Sequence, residues 1–295
     1  MLFRSACEAA SVVLALTAVL SVALLGDERV DRDKAGLRGP VHTVRLETEE
    51  DGTRRFDGAS TYDADGYLAL REDVSDFGER MGTTTFRREK GRLVEEIVRG
   101  PGGEELQRMR VARGPGPRQE SVTVTSREGT YIERHAYDRS GRLLETVYLV
   151  GGKTMGRTVL TYASSADPVE IAFFDGRGRR AVASVGPCLG AHRLTYRYTD
   201  GRLVERTLYE PDGSVKQMST YAYESRGEIV EEVRKTASAL VRFTLAYEFD
   251  ERGNWIRRTA TIEPRTKELD GEWRQDEPSR KTVHRVITYY RSSVR

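Results

Sequence analysis

The chain has 295 residues, which is enough for one large domain or two ordinary ones. Its 48 basic and 46 acidic side chains nearly cancel and are interspersed, which excludes the concentrated basic face of a nucleic-acid-binding protein. An aromatic content of 8% with a net charge of only +2 also excludes an intrinsically disordered chain.

The chain begins with an apolar segment that predicts export. Residues 9–25 contain only Ser and Thr as polar members, and their length lies between that of a signal-peptide core and that of a membrane-spanning helix. We expect residues 1–26 to form an apolar helix, either a cleaved signal peptide or an uncleaved inner-membrane anchor, and residues 27–36 to form a linker. In both cases the rest of the chain lies outside the cytoplasm, and it contacts the membrane only through an uncleaved N-terminal segment.

From about residue 56 the sequence repeats a short motif with a period near 25 residues. In most copies an aromatic residue, an acidic residue, a glycine and an apolar residue follow one another, around Gly66, Gly91, Gly141, Gly201, Gly227 and Gly253. These glycines are 25, 50, 60, 26 and 26 residues apart, so the two long intervals hold degenerate copies. A fixed period of this length indicates a repeat architecture.

Each period has a second turn signal 11 or 12 residues after the motif glycine, as at Pro211–Gly213 after Gly201. Turns at this spacing, joined by segments with alternating polarity, predict an antiparallel β-meander. Glycine supplies the positive φ of a tight hairpin, and an acidic residue before it accepts hydrogen bonds from the turn backbone. We therefore predict an all-β fold in which residues 37–295 form one continuous, twisted or curled sheet with unpaired end strands.

A carboxylate recurs at the same place in successive repeats, as Glu145 and Glu205 illustrate. Strict alternation places Glu205 on the same face as Leu203, two residues before it. We expect a ladder of cross-strand ion pairs with nearby arginines such as Arg206 and Arg234, worth about 0–1 kcal/mol each at the surface. Charges that recur so regularly also argue against an outer-membrane barrel with a lipid-facing band.

The segments "YDRSGRL", "YTDGRL", "YESRGEI" and "FDERGNW" resemble the YD repeat of the RHS superfamily, whose motif is Tyr-Asp-x-x-Gly-Arg-Leu. The resemblance covers roughly residues 56–262. The chain looks like the short exported bacterial members of the superfamily that carry these repeats alone. It implies a repetitive β-sheet and no active-site residues. Large members enclose toxins, but this chain shows no core motif and no toxin domain, so that role is not implied.

Side chains suited to catalysis or metal binding are sparse. The four histidines, at positions 42, 135, 192 and 284, lie far apart in the sequence and have no second metal ligand at a useful spacing. His135 stands where other repeats have tyrosine, and we interpret it as a substitute for that tyrosine. We predict no catalytic residue, no metal site and no cofactor.

Two stretches break the repeat, and function tends to collect on loops of a rigid scaffold. Residues 183–193 are a small-residue insertion, whose cysteine has the alternative interpretation of a buried apolar residue. Residues 263–281 are a long charged segment, for which a mobile loop or a longer hairpin is the alternative. The candidate interaction surface comprises Cys188, His192, Trp273 and Arg274.

Together these patterns favour a non-catalytic, exported repeat protein of the cell envelope that acts as a binding or structural scaffold. We expect its partner to be a protein or an envelope glycan, in the periplasm, at the cell surface or outside the cell. The alternative is an envelope hydrolase that uses carboxylates and arginines on the sheet, although nothing in the sequence places its catalytic groups.

Overall fold

The computed structural model describes residues 30–290, except positions 51, 76–77, 115, 117, 184–189 and 269. The predicted N-terminal helix lies outside the described residues. The helix α1 (Asp31–Lys34) is a single turn, and no helix in the described residues is long and apolar enough to cross a membrane. The strands are β1 (Val41–Glu50), β2 (Thr53–Tyr62), β3 (Leu68–Val74), β4 (Arg80–Glu89), β5 (Arg92–Arg99), β6 (Glu105–Arg113), β7 (Gln119–Ser126), β8 (Gly129–Tyr137), β9 (Leu143–Val150), β10 (Lys153–Tyr162), β11 (Pro168–Asp175), β12 (Arg193–Thr199), β13 (Arg202–Tyr209), β14 (Val215–Tyr223), β15 (Ile229–Lys235), β16 (Ala239–Phe249), β17 (Trp255–Lys267), β18 (Trp273–Gln275) and β19 (Ser279–Tyr289).

The strands form one closed antiparallel barrel. Each strand from β1 to β16 pairs with the next one along the chain, β17 pairs with β19, and β19 pairs with β1. The short β18 pairs only with the end of β17, so 18 strands make up the ring. The prediction of an all-β antiparallel meander is confirmed. The prediction of unpaired end strands is wrong, because β1 and β19 pair from Val41/Tyr289 to Glu49/Thr282 and leave neither strand as an edge.

The inner face of the barrel carries the buried side chains, as the row that crosses β6, β7 and β8 illustrates. Met109 pairs with Val124, Val124 pairs with Tyr131, and both Met109 and Val124 are almost fully buried. Four apolar clusters follow one another along this face. The outer face consists mainly of Arg, Glu and Thr, whose charges pair across strands, for instance Arg157 with Glu145 at 3.1 Å.

A β-bulge follows almost every motif turn. Leu203 pairs with Tyr198, but Glu205 pairs with Arg197, so Val204 has no partner of its own. The bulge reverses the alternation, and Leu203 therefore points inward while Glu205 points outward. The prediction that these two residues share a face is wrong for this reason. Seven of the hairpins that follow even-numbered strands have such a bulge, and their unmatched residues are Ala69, Val94, Leu144, Val169, Val204, Val230 and Ile256.

The hairpins give the barrel two different ends. The motif end carries the hairpins that follow even-numbered strands, with all the motif glycines, and also the start of β1. The loop end carries the hairpins that follow odd-numbered strands, including the connections at 176–192 and 268–278. Both stretches that break the sequence repeat therefore reach the same end of the barrel.

Residues 30–40, which include the second half of the predicted linker, pack against the motif end. The backbone N–H of Arg32 donates to the carbonyl of Gly66 in the β2–β3 hairpin at 3.0 Å. The side-chain oxygen of Asn254 accepts a hydrogen bond from the backbone N–H of Arg38 at 2.6 Å, and its amide nitrogen donates to the Arg38 carbonyl at 3.0 Å. The segment thus joins the β2–β3 hairpin to the β16–β17 hairpin.

Candidate functional site

The acidic residue and the glycine of the motif build a turn that supports itself. In the β8–β9 hairpin, Asp138 accepts hydrogen bonds from the backbone N–H groups of Ser140 at 2.8 Å and Arg142 at 2.9 Å, and Gly141 has a φ of 80°. The bonds from the backbone and side chain of Arg142 hold the pKa of Asp138 below its ordinary value. This confirms the predicted role of the acidic residue. Equivalent motif turns are held by Asp63 and Asp250, and Asp175 holds a turn of the same kind at the loop end.

Tyrosine and arginine join each repeat to the next. The hydroxyl of Tyr223 donates to the carbonyl of Leu203 at 2.7 Å, and the guanidinium of Arg202 lies 5.6 Å from the centre of the Tyr223 ring. Every element of the motif therefore has a structural partner within the barrel wall. The same hydrogen bond joins Tyr162 to Leu143 and Tyr247 to Ile229, and the same stacking pairs Arg142 with Tyr162, Arg226 with Phe249 and Arg252 with Tyr289.

The recurring carboxylates form ion pairs across strands, but with other arginines than the sequence suggested. Glu205 pairs with Arg197 at 2.9 Å on the outer face. Arg206 lies on the inner face, and Arg234 pairs with Glu232 at 2.6 Å. The prediction of Arg206 and Arg234 as partners is wrong because the bulge after each turn moves the carboxylate to the other face.

The densest part of this ladder is centred on Glu95. Its carboxylate lies 3.1 Å from Arg110 and 2.7 Å from Arg108, and hydrogen bonds from these two arginines lower the pKa of Glu95 to about 2. Arg87 approaches the same carboxylate at 3.4 Å. A carboxylate held by three arginines stays ionised and paired, which suits a structural role better than proton transfer.

The structure places His192 in the wall of the barrel. Its side chain is 8% exposed, and its backbone carbonyl accepts a hydrogen bond from the N–H of Phe173 while its N–H donates to the carbonyl of Tyr209. His192 therefore bridges β11 and β13 and extends β12 by one residue. Cys188 lies outside the described residues.

Trp273 and Arg274 lie on β18, at the tip of the loop end. The 263–281 segment is a hairpin extension, in which Trp273 pairs with Lys267 at the end of β17. Trp273 is 41% exposed, and Arg274 is paired with Asp270 at 3.3 Å. The longer-hairpin alternative describes this segment. The structure does not bring Trp273 next to His192, because four strands, β13 to β16, separate β12 from β17 in the ring.

The loop end also carries exposed apolar side chains, of which the sequence pointed only to Trp273. Six of the eight large apolar side chains exposed in the described residues lie there, and the other two are Leu144 and Val286. Exposure depends on where each strand ends, which an alternating pattern does not reveal. We call the six side chains the apolar rim: Met81, Val150, Met155, Val182, Val215 and Trp273.

A buried ionisable pair on the inner face was also missed. Glu133 and His135 are 0% and 1% exposed, and their Oε2 and Nε2 atoms lie 3.2 Å apart. The other ring nitrogen of His135 lies 3.0 Å from the hydroxyl of Thr146. Burial and the charge of Glu133 raise the pKa of the neighbouring Tyr131. Because neither side chain of the pair is exposed, the solvent has no direct access to it. In the described part of the chain, no three His, Cys, Asp or Glu side chains are placed to hold a metal ion.

A seam interrupts the barrel wall near the motif end. β17 and β19 pair from Ile262/Ser279 to Arg257/His284, but β19 continues to Tyr289 beside β1 alone. A shallow groove of about 460 Å³ lies at this seam, and Arg257 and His284 are part of its lining. The groove brings several ionisable groups together, among them Glu49, Arg54 and Glu248.

Most charges in the groove neutralise one another. Arg257 lies 2.8 Å from Glu248, and both His284 and Arg54 contact Glu49, at 2.8 and 3.1 Å. Hydrogen bonds from His284 and Arg54 hold the pKa of Glu49 below its ordinary value. These five side chains form two closed ion-pair groups, so they stabilise the wall of the groove.

No protein-family model matches the chain, and no curated protein matches it. Among solved structures, a porin-like protein from Bacteroides uniformis covers 85% of this chain and 99% of its own, with 14% sequence identity and a TM-score of 0.45. A protein of unknown function from Bacteroides fragilis covers 66% of this chain and 88% of its own, with 9% identity and a TM-score of 0.14. Both likenesses are too weak to carry an argument about function, and the resemblance to the YD repeat stays a prediction from the motif.

Proposed function

We propose that this protein is an exported, non-catalytic barrel that binds a partner protein at its loop end. The observation that carries the proposal is the apolar rim, in which side chains such as Met155 and Val215 are 59% and 52% exposed. Apolar side chains gathered at one end of a monomer mark a surface that a partner covers. The rim stands on connections between strands, where binding residues of rigid scaffolds usually lie.

The motif end supports this assignment by contrast. Three of its turns are held by their own aspartates, its repeats are joined by tyrosine hydroxyls and stacked arginines, and residues 30–40 pack against it. The YD-like residues thus act as the frame, which agrees with the resemblance, since it implies no active site. The charged outer face supports an aqueous surrounding for the barrel, and export rests on the predicted role of residues 1–26.

The carboxylates that a hydrolase would use are engaged in the wall. Glu145, Glu205 and Glu95 each pair with at least one arginine on the outer face. A general acid or base needs a pKa near the working pH. Pairing with an arginine lowers the pKa of a carboxylate and so moves it further below that pH. We therefore favour binding over hydrolysis.

Replacement of the rim tests the proposal. The full chain carrying Val150→Ser, Met155→Ser and Val215→Ser is compared with a control carrying Leu144→Ser and Val286→Ser, the exposed apolar residues outside the rim. We expect the wild type and the control to capture the same protein from envelope fractions after cross-linking, and the rim variant to lose it. Capture of the same protein by the rim variant, with the same β-type circular dichroism, would overturn the proposal. Equal retention of all three on purified envelope polysaccharide would favour a glycan partner instead.

A further inference from the structure

Two arginines converge on one aromatic ring beside the seam. The guanidinium carbon of Arg285 lies 3.5 Å from the centre of the Trp255 ring, and that of Arg258 lies 5.3 Å from the same centre. Trp255 is 8% exposed and is fixed by its place at the start of β17. Arg258 and Arg285 both lie on the inner face, since Arg258 pairs with Val283 and Arg285 pairs with Leu46.

The positive charges of this pair repel each other. Burial and, after it, the charge of Arg258 lower the pKa of Arg285 to about 10. The negative charge of Glu228 raises the pKa of Arg285. In the described part of the chain, however, Glu228 is not within ion-pair distance of either arginine. Two like charges on one ring therefore lie in a partly buried place with only a distant counter-charge.

Arg285 differs from the other half-buried arginines that lie over a single ring. Arg88, Arg142, Arg157 and Arg193 each lie within 4.0 Å of a carboxylate, whereas the stacked Arg226 and Arg252, which have no ion pair among the described residues, are exposed. In the described part of the chain no carboxylate lies within 4.0 Å of Arg285, and its buried Nε has no acceptor. Arg285 also belongs to the lining of the seam groove, in which the other cations are paired.

We propose that Arg258, Arg285 and Trp255 form a binding site for a small oxyanion, a carboxylate or phosphate group, at the seam between β17 and β19. A guanidinium presents two parallel N–H groups that match such an anion. An anion bound between the two guanidinium groups also offsets the repulsion between their positive charges. Trp255 holds both guanidinium groups against its ring, and the N–H groups that the side chain of Tyr247 does not engage remain for the ligand. The site lies near the motif end and is separate from the apolar rim.

The fluorescence of Trp255 reports on this site directly. In a full chain with Trp273→Phe, Trp255 is the only tryptophan. Inorganic phosphate and acetate are titrated at an ionic strength held constant with sodium chloride, and the emission and the thermal midpoint are recorded. We expect a saturable emission change and a rise of the midpoint with at least one of the two ions, and the ion that acts identifies the group.

Charge variants separate a binding site from a merely structural stack. We expect Arg285→Gln to weaken the apparent affinity by about tenfold or more, and Arg285→Lys, which keeps the charge without the fork, to weaken it less. Glu228→Gln removes the competing charge without touching the ring and tightens binding by a few-fold. If phosphate and acetate act no more strongly than chloride, or if Glu228→Gln and both Arg285 variants respond like the parent, the proposal is wrong.

Discussion

The motif end and the loop end close the same barrel by different means. At the motif end the turns at Asp63, Asp138 and Asp250 are held by their own aspartates, and tyrosine hydroxyls and stacked arginines join one repeat to the next. At the loop end the connections range from two residues at Gly151–Gly152 to the long segment 176–192, and apolar side chains stay exposed. The regular end stabilises the barrel, and the irregular end offers the surface for a partner.

The largest expected effect comes from a wall strand that has no bulge. Deletion of Thr123 in β7 makes Val122 and Val124, both fully buried, direct neighbours and forces one of them onto the outer face, because one residue changes the facing of the rest of the strand. We expect a loss of more than about 4 kcal/mol in the free energy of unfolding, measured by urea denaturation. An extra serine after Gly271 at the loop end is the control and costs about 0.5 kcal/mol. Equal losses for the two variants would contradict the contrast between the regular wall and the loop end.

Asn254, the only asparagine of the chain, provides the next largest effect. It is 1% exposed, and its amide bonds both backbone groups of Arg38 and the hydroxyl of Tyr289. Asn254→Ala leaves both backbone groups of Arg38 unpaired, while Tyr289 keeps its bond to Asp250, so we expect a loss of about 3 kcal/mol in the free energy of unfolding and faster amide hydrogen exchange at Arg38. Asp212→Ala in an exposed loop-end turn serves as the control, with a loss of about 0.5 kcal/mol. Unchanged exchange at Arg38 would show that Asn254 does not hold this segment.

A single tyrosine hydroxyl gives a smaller effect. Tyr223→Phe removes the hydrogen bond to the Leu203 carbonyl but keeps the ring beneath Arg202, so we expect a loss of about 1 kcal/mol in the free energy of unfolding. Tyr209→Phe removes only a 3.4 Å contact with Thr195 and should change this free energy by less than about 0.3 kcal/mol. If the two variants unfold at the same urea concentration, the hydroxyl of Tyr223 does not stabilise the junction between repeats.

The smallest effect concerns pH and the outer carboxylate Glu95. Its pKa falls from 4.5 to about 2 on folding, so its contribution is complete above about pH 4.5 and is lost as the pH falls towards 2. Glu95→Gln should therefore reduce the free energy of unfolding at neutral pH and show a shallower decrease of it between pH 5 and about pH 2. High salt should reduce the difference, because it screens exposed pairs. Parallel pH curves for the variant and the wild type would contradict this.

The sequence was sufficient for the class of fold and the chemistry of its turns, because these depend on neighbouring residues. The period, the glycines and the aspartates predict a meander, and Asp138 and Gly141 act as expected. The bulge was not predictable in the same way, since the pair Leu203–Val204 looks like part of any buried strand. Closure depends on residues far apart in the chain, such as Val44 and Ile287.

The candidate site was predicted only in part, for a similar reason. Trp273 was recognised because it interrupts a regular pattern, and it is exposed at the loop end. Met155 and Val215 occupy ordinary strand positions in the sequence. They are exposed because they lie where their strands begin at the loop end, which only the folded barrel reveals. His192 looked like a loop residue, but its backbone bonds to Phe173 and Tyr209 make it part of the wall.

Closure of the ring underlies every contrast between the two ends, and a cross-link between the first and last strands tests it directly. The hydroxyls of Thr43 and Thr288 lie 2.5 Å apart across β1 and β19. In a chain with Cys7→Ser and Cys188→Ser, the pair Thr43→Cys and Thr288→Cys should form a disulfide on mild oxidation, seen as a faster band on a non-reducing gel. The pair Thr43→Cys and Thr282→Cys, six residues further along β19, should not. A barrel that stays open would leave the Thr43/Thr288 pair reduced and would contradict the account.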